Sequence, residues 1–361
     1  MKQTNNMGVH NLNKFLRNNS PDIFVNVHIS EYAFKKVAID ISLYLCKFKS
    51  ICGNRWLAAF INLVACLRKN EIHCVFIYDS GAPPEKQAER KERAAAREKM
   101  EARVYALEEA LEKYHMTNEV DQILIDLCNK SKDLTPQRLL GKTKSTIDMN
   151  WVEARVAKMR SYILDISAED FALTKQLFTI LEVPYFDAPL EAETMCSDLC
   201  KRGLVDAVIS EDTDVLAYGA PVFLTKLDTT TGVCVRINHT HVLESLGLNH
   251  QEFLDLCIMC GTDYNKNIFR VGPEKSYKYI KEHRTIENIA ENVGMDVSIL
   301  CHVRGRELFT EYEQADVTIP YCGTPDFQGL QEFVFRNNIG IDIEGLRSAF
   351  IHNVIVFEED E

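Results

Sequence analysis

Apolar and polar positions follow two different periods along this chain, and the changes of period divide it into elements. Lys36-Val37-Ala38-Ile39-Asp40 is a short β-rich run that closes on an acid. Leu57, Phe60, Ile61, Val64 and Leu67 then recur at near-helical spacing. Cys74-Val75-Phe76-Ile77-Tyr78-Asp79 reads as a second strand closing on an acid, and Ser80-Gly81-Ala82-Pro83-Pro84 breaks the chain after it. From Glu85 to Tyr114 the residues are mainly Glu, Lys, Arg and Ala, with no Gly or Pro, which predicts a long solvated helix. Residues 115–150 show no clear period, and a helix is expected again from Trp151 to Tyr162.

The strand–helix alternation then resumes. Phe171 to Leu181 predicts a helix, Val183-Pro184-Tyr185-Phe186 a strand, the stretch from Glu191 a helix, and Val205-Asp206-Ala207-Val208-Ile209-Ser210 a strand. Phe223-Leu224 and Val233-Cys234-Val235-Arg236-Ile237 predict a hairpin around Thr231-Gly232, and short helices dominate from Asn249 onward. The acidic end, Glu358-Glu359-Asp360-Glu361, is expected to fray. The expected class is α/β: a mostly parallel twisted sheet covered by helices and interrupted by a long helical insertion after the second strand.

Composition narrows this picture. The chain has 361 residues, 46% hydrophobic and 26% charged, which excludes a disordered or fibrous chain and allows one large domain or two ordinary ones. The formal charge is −12, so contact with nucleic acid must come from local basic patches. The longest apolar run, Trp56 to Leu67, is too short to span a bilayer, and the polar start Met1-Lys2-Gln3-Thr4-Asn5-Asn6 leads into no signal-peptide core. No membrane association is expected, and the protein is expected in the cytoplasm or nucleus rather than secreted. The twelve cysteines are scattered; a zinc site usually needs two close pairs on turns, whereas of Cys196/Cys200 and Cys257/Cys260 the second lies in an apolar helical stretch, so they read as reduced core thiols.

The chemistry lies in acids at strand ends and turns: Asp40, Asp79, Glu191, Glu193, Asp212, Asp214 and Asp263. In parallel sheets, ligands bind beyond the carboxyl ends of strands. In extended backbone, Asp212 and Asp214 would point to one side. Glu191 and Glu193 follow Ala188-Pro189-Leu190 and should occupy the irregular first turn of a helix, and Asp263 follows Gly261, a helix stop. Any one of these acids reads equally well as a cap or turn residue. Seven together would repel one another, and no Lys or Arg in these motifs neutralises them; hard divalent cations such as Mg²⁺ or Mn²⁺ would. Two such ions are the usual arrangement for phosphodiester hydrolysis.

In their order along the chain, these blocks resemble structure-specific 5′ nucleases of the flap endonuclease/XPG type. The resemblance rests on Met7-Gly8-Val9 with Leu12, the runs closing on Asp40 and Asp79 with Ser80-Gly81-Ala82-Pro83-Pro84, and Pro184-Tyr185-Phe186-Asp187-Ala188-Pro189-Leu190-Glu191-Ala192-Glu193. It continues through Ser210-Glu211-Asp212-Thr213-Asp214, Leu246-Gly247-Leu248, Phe253-Leu254-Asp255-Leu256-Cys257 and Gly261-Thr262-Asp263-Tyr264, covering about residues 7 to 290. It implies a PIN-like 5′-nuclease core with a helical arch or cap and a C-terminal helix–turn–helix (helix-hairpin-helix-like) DNA-binding module. The expected divisions are 7–84 and 166–248 for the nuclease core, 85–165 for the arch, 249–290 for the duplex-binding module and 291–361 for a helical extension.

The resemblance also implies two Mg²⁺ ions, one served mainly by Asp40, Asp79, Glu191 and Glu193 and the other by Asp212, Asp214 and Asp263, with Mn²⁺ as a substitute. By the same resemblance, Lys86 and Arg93 on the arch reach the scissile phosphate, and Arg97 extends their helix face. Arg270, Gly272, Lys275 and Lys278 fall in the module that grips duplex backbone. A second basic run covers 130–160 and reads equally as an ordinary solvated helix and loop. The implied substrate is branched or nicked DNA cut at flaps or bubbles, acted on by a monomer; the alternatives are a 5′→3′ exonuclease or ribonuclease on the same core, or a non-catalytic DNA-binding scaffold.

Several positions depart from the family pattern. Arg270 replaces the first glycine of the usual Gly-x-Gly-Pro turn, which counts against a K⁺ ion at 270–273. Cys46 stands where the family has a stacking aromatic residue, and six residues precede Met7. The long interval from Asp79 to Glu191 implies an enlarged arch. No sliding-clamp motif is found.

Overall fold

The computed structural model describes residues 8–132, 148–163 and 166–350. Met7, the acidic end and part of the basic run 130–160 lie outside them. A seven-stranded mixed sheet runs in the order β1-β7-β6-β5-β2-β3-β4, with β1 Val25–His28, β2 Lys36–Asp40, β3 His73–Tyr78, β4 Tyr185–Asp187, β5 Ala207–Ile209, β6 Val222–Thr225 and β7 Val233–Asn238. β4, β3, β2, β5 and β6 are parallel, while β7 pairs antiparallel with both β6 and β1.

β1 is a strand that the pattern did not predict. Of its four residues only Val27 is buried, so it has almost no apolar period. The insertion therefore follows the third strand, not the second.

The central strands are covered on both faces, as their continuous apolar runs require. Val37, Ile39, Cys74, Phe76 and Tyr78 face one core, built with α2 Ile41–Cys52, α3 Trp56–Lys69, α7 Ala168–Ile180, α15 Phe327–Arg336 and α16 Ile343–Phe350. Ala38, Val75 and Ile77 face the other, built with α1 Leu12–Asn19, α8 Ala192–Lys201 and α11 His250–Cys260. The helical run Ile41–Lys69 is long and apolar enough to cross a membrane by length and composition. It is interrupted at Gly53–Arg55, and Leu57, Phe60, Ile61, Val64 and Leu67 are all core, so its apolar character is explained by burial in the fold.

The insertion begins with α4 Gln87–Thr117, 31 residues long, and returns through α5 Gln122–Lys132 and α6 Met149–Arg160. Val104, Leu107, Leu124, Leu127, Val152 and Val156 give these three helices a small core of their own. Their tip is thus stabilised independently of the sheet. Beyond α11 come α12 Pro273–His283, α13 Ile286–Val293 and α14 His302–Thr310. The twelve cysteines are all free thiols.

Candidate active site

The carboxyl ends of β2, β3 and β5 and the start of α8 place acids at one end of the sheet. Asp40 is the last residue of β2 and also caps α2: its Oδ1 accepts from the Ser42 and Leu43 amides at 2.8 and 3.4 Å. Asp79 follows β3 and is held from both sides, by the Ser42 hydroxyl at 2.5 Å and the Ala192 amide at 2.8 Å. Glu191 is the extended cap residue of α8 and Glu193 lies in its first turn, so this i, i+2 pair shares the irregular turn that its spacing demands.

Asp212 and Asp214 are not in extended backbone. Thr213 between them is helical, and Asp214 begins a short helix, α9 Asp214–Ala217. The turn brings the pair together by another route, with the Asp214 amide donating to Asp212 Oδ1 at 2.8 Å. Asp263 follows Gly261, whose φ of 93° ends α11 as predicted.

Glu193, Asp212 and Asp214 are buried, and each offers a carboxylate oxygen within 4.8 Å of the others. Glu193 thus groups with the Asp212/Asp214 side of the site. Burial pushes Asp40 up to about 8, with Asp79 adding to the effect. Burial also lifts Asp212 to about 6 and raises Glu193 and Asp214 well above the ordinary carboxyl range. Both Asp214 oxygens are buried without a hydrogen-bond partner.

The expectation that no basic residue neutralises the cluster needs correction. Lys86 comes from the turn just before α4, and its Nζ lies 2.6 Å from Glu191 Oε1, 3.2 Å from Glu193 Oε1 and 3.1 Å from Asp263 Oδ2. Burial works against its charge, but Glu193, Glu191 and Asp263 outweigh burial and hold the ammonium well above the usual lysine range. Arg93 Nη2 donates to Asp263 Oδ1 at 3.0 Å and its Nε pairs with Glu89. Their pairing with the acidic cluster cannot be seen in sequence, because Lys86 lies 105 residues from Glu191 and Arg93 lies 170 from Asp263. Arg97 is not in the site; it is exposed beside Glu101.

Asp40, Asp79, Asp212 and Asp214 have no basic partner among the described residues. Seven carboxylates against two cations leave five formal negative charges. That surplus, and the unpartnered oxygens of Asp214, fit a site for divalent cations.

Four further residues shape the site. Tyr264 donates to Glu191 Oε2 at 2.7 Å, and its hydroxyl is 2.6 Å from that of Tyr218. Ser42 fixes Asp79. Gly8, at φ +76°, presses its backbone on the acid turn: a Cβ there would fall 2.0 Å from Asp212 Oδ1. Tyr264 and Gly8 sit inside the matched blocks, but nothing local assigns them these contacts. A cleft of about 430 Å³ opens beside Asp79, lined among others by Ser42, Ser80, Arg90, Phe171 and Lys175.

In the region expected to grip duplex, Gly272 caps α12, where Lys275 and Lys278 are exposed. Lys281 turns inward to the Leu246 and Gly247 carbonyls instead. Arg270 adopts φ 61°, the left-handed conformation a glycine would favour, so the turn keeps that geometry at some strain.

A mostly parallel sheet with acids gathered at its strand ends beneath a helical arch defines a hydrolase-type α/β core of the 5′-nuclease class. The XPG N-terminal domain model matches residues 7–100 and the XPG I-region model residues 182–263. The "Probable RAD2-like endonuclease 369L" of Invertebrate iridescent virus 6 is 33% identical, covering 95% of this chain and 92% of its own. The chain belongs to the XPG/RAD2-like family of endonucleases. The "Flap endonuclease 1-B" of Xenopus laevis is 27% identical over 91% of this chain and 81% of its own. The fold is shared with the catalytic core of Rad2 in complex with DNA substrate, with TM-score 0.64, 18% identity, and 96% of this chain and 100% of that one covered. The flap endonuclease-1 from Methanococcus jannaschii gives TM-score 0.58 and 22% identity, with 91% and 95% covered.

Proposed function

We propose that the chain is a Mg²⁺-dependent, structure-specific 5′ nuclease that hydrolyses phosphodiester bonds at 5′-flap or bubble junctions of DNA. The carrying observation is the uncompensated charge beneath the arch, with Asp214 holding two buried oxygens that nothing satisfies. Asp40, Asp79, Glu191, Glu193, Asp212, Asp214 and Asp263 are the residues that would hold two Mg²⁺ ions, with Mn²⁺ as a substitute. When bound, such ions supply an acidified water and neutralise charge on the scissile phosphate.

The remaining work falls to side chains of this chain. Tyr264 fixes Glu191, and Ser42 with the Ala192 amide fixes Asp79, so neither carboxylate is free to swing. Lys86 and Arg93 already sit among these acids, and an incoming phosphate offers them oxygens in exchange. In that position they stabilise the negative charge that grows as the bond breaks. Lys275 and Lys278 on α12, with the turn at Gly272, suit duplex backbone, and Arg97 suits the strand near the arch. Arg270 puts a fixed positive charge at the 270–273 turn, which favours direct phosphate contact over K⁺. The descriptions of the relatives as flap endonuclease and RAD2-like endonuclease support the substrate class. The free thiols suit a reducing compartment, cytoplasm or nucleus.

The test uses labelled 5′-flap DNA, nicked duplex and single-stranded RNA, each with Mg²⁺ or a chelator. The reading expects Mg²⁺-dependent cutting of the flap near its junction. Preferential RNA cleavage would overturn the substrate, and tight flap binding without cutting would make the protein a scaffold.

A further inference from the structure

Beyond Asp263 the chain passes through a tight turn before α12, and that turn presents an aromatic ring to solvent. The Val271 amide donates to the Ile268 carbonyl at 2.9 Å, closing a four-residue turn with Phe269 and Arg270 at its corner. Both ends of the turn are anchored, because Ile268 and Val271 pack into the core on the α11 side of the sheet. The Asn267 side chain braces them, its Nδ2 donating to the Val271 carbonyl at 2.9 Å and the Ile268 carbonyl at 3.2 Å. Phe269 itself is 82% exposed and joins none of the three apolar clusters of the described residues. A fixed turn thus holds the ring out in water.

A single exposed phenyl is ordinary on a protein surface. This one is set apart by its neighbours. The Arg270 guanidinium lies over the ring, 5.0 Å from its centroid. Arg270, Lys275 and Lys278 are all exposed, and none has an acid partner among the described residues. The other cations of the stretch are engaged: Lys266 pairs with Glu92, Lys281 bonds the Leu246 and Gly247 carbonyls, and Arg284 Nη1 lies 3.3 Å from Glu252 Oε1. Glu274, between Arg270 and Lys275 in sequence, accepts from the Asn19 amide at 3.1 Å. An apolar ring beside unpaired cations suits a polyanion that also has apolar faces. A DNA strand is one, because sugars with C–H faces alternate along it with charged phosphates.

We infer that Phe269 is a duplex-contact residue whose ring packs on a deoxyribose face of the DNA backbone, with Arg270 on the adjoining phosphate. The inference rests on the proposed grip of α12 on duplex and adds to it an attraction that is not ionic. Cations that hold phosphates displace counterions, so their contribution fades as salt rises; ring–sugar packing displaces none and persists. The left-handed Arg270, at φ 61°, fits the same role, since a glycine would relax that corner but remove the guanidinium.

Binding of the full chain to a nicked DNA duplex is measured with a chelator present, from about 50 to about 200 mM salt. Phe269→Ala should weaken Kd about tenfold at every salt concentration, the scale of partly burying one aromatic ring, and leave the slope of log Kd against log salt unchanged. Arg270→Gly, which suits the left-handed corner, should instead reduce that slope by about one phosphate contact. Because the ring is exposed, Phe269→Ala should melt within about 2 °C of the unsubstituted protein. A loss of affinity below about threefold, a loss that vanishes at the higher salt, or a loss that comes with a lower melting temperature would overturn the inference. Cleavage of 5′-flap DNA by the unsubstituted chain with Mg²⁺ separates this inference from the nuclease reading. Cutting combined with unimpaired binding by Phe269→Ala overturns only the role of Phe269. No cutting, combined with a Phe269-dependent affinity that resists salt, overturns the nuclease reading and supports this one.

Discussion

Gly8 and Asp212 are packed so closely that a single methyl group would not fit between them: a Cβ at Gly8 would lie 2.0 Å from Asp212 Oδ1 and 2.9 Å from Asp214 Oδ1. The first described residue thus buttresses the turn that carries two of the acids. Gly8 also holds φ +76°, which an alanine resists. We expect Gly8→Ala to shift the Asp212–Asp214 turn and lower the cleavage rate about 100-fold, the usual cost of an ångström-scale displacement of reacting groups. Single-turnover rates on a 5′-flap substrate check this; an unchanged rate would show that the turn does not depend on the glycine.

Lys86 and Arg93 hold the acids in place of a substrate. Removing either takes a cation away from a site with a negative surplus. Lys86→Ala or Arg93→Ala should lower turnover by about 10²–10³, the range for loss of one charge-stabilising donor. Substrate affinity should change much less if the duplex is gripped by α12, as proposed above. Measured Kd and single-turnover rate separate the two, and a larger effect on Kd would make these docking residues.

Protonation of the acids sets a pH dependence in the metal-free protein. A carboxyl whose folded pKa lies above its unfolded value binds its proton more tightly when folded. Its contribution to stability is full below the unfolded value, near 4, and is lost as pH rises through the folded one: about 6 for Asp212 and about 8 for Asp40. With chelator present, Tm should therefore fall between pH 5 and 9, and the gain in Tm on adding Mg²⁺ should grow over the same interval. Asp214→Asn removes a buried carboxyl that has no partner once it ionises, so it should lessen the chelated protein's loss of stability at high pH while abolishing cleavage. Thermal melts at pH 5.5 and 8.5, with chelator and with Mg²⁺, read all of this.

α14 is joined to α11 by a buried charge. Arg306 on α14 forks onto Asp255 of α11, Nε to Oδ1 at 2.6 Å and Nη2 to Oδ2 at 2.7 Å, and reaches Glu287 through Nη1 at 2.6 Å. Asp255 is fully buried. Breaking such a pair leaves the other charge stranded, so Arg306→Ala should cost about 3–5 kcal/mol in denaturant unfolding. A loss below about 1 kcal/mol would show that α14 is not held by this pair.

Much of this molecule was legible along the chain because its signals are local. β2 and β3 declared themselves as apolar runs closing on Asp40 and Asp79, and α4 as a Gly- and Pro-free charged stretch, since burial on both faces or on neither sets composition directly. β1 was not legible: Val25–His28 lies at the sheet edge with one buried residue, and only pairing with β7 makes it a strand. The Asp212–Asp214 geometry was misjudged for a related reason, because a three-residue turn is decided by what presses on it, here Gly8.

What the sequence by itself determined was the inventory: which strands end in acids, where helices start and stop, and, through the order of those blocks, the family. Only the tertiary structure decided how the charges are shared. Lys86 reaches Glu191, Glu193 and Asp263 across more than a hundred residues of chain, while Asp214 is left with none. Secondary structure follows from neighbours three or four positions apart, whereas the energy of a buried charge depends on every group within a few ångströms, wherever the chain supplies it.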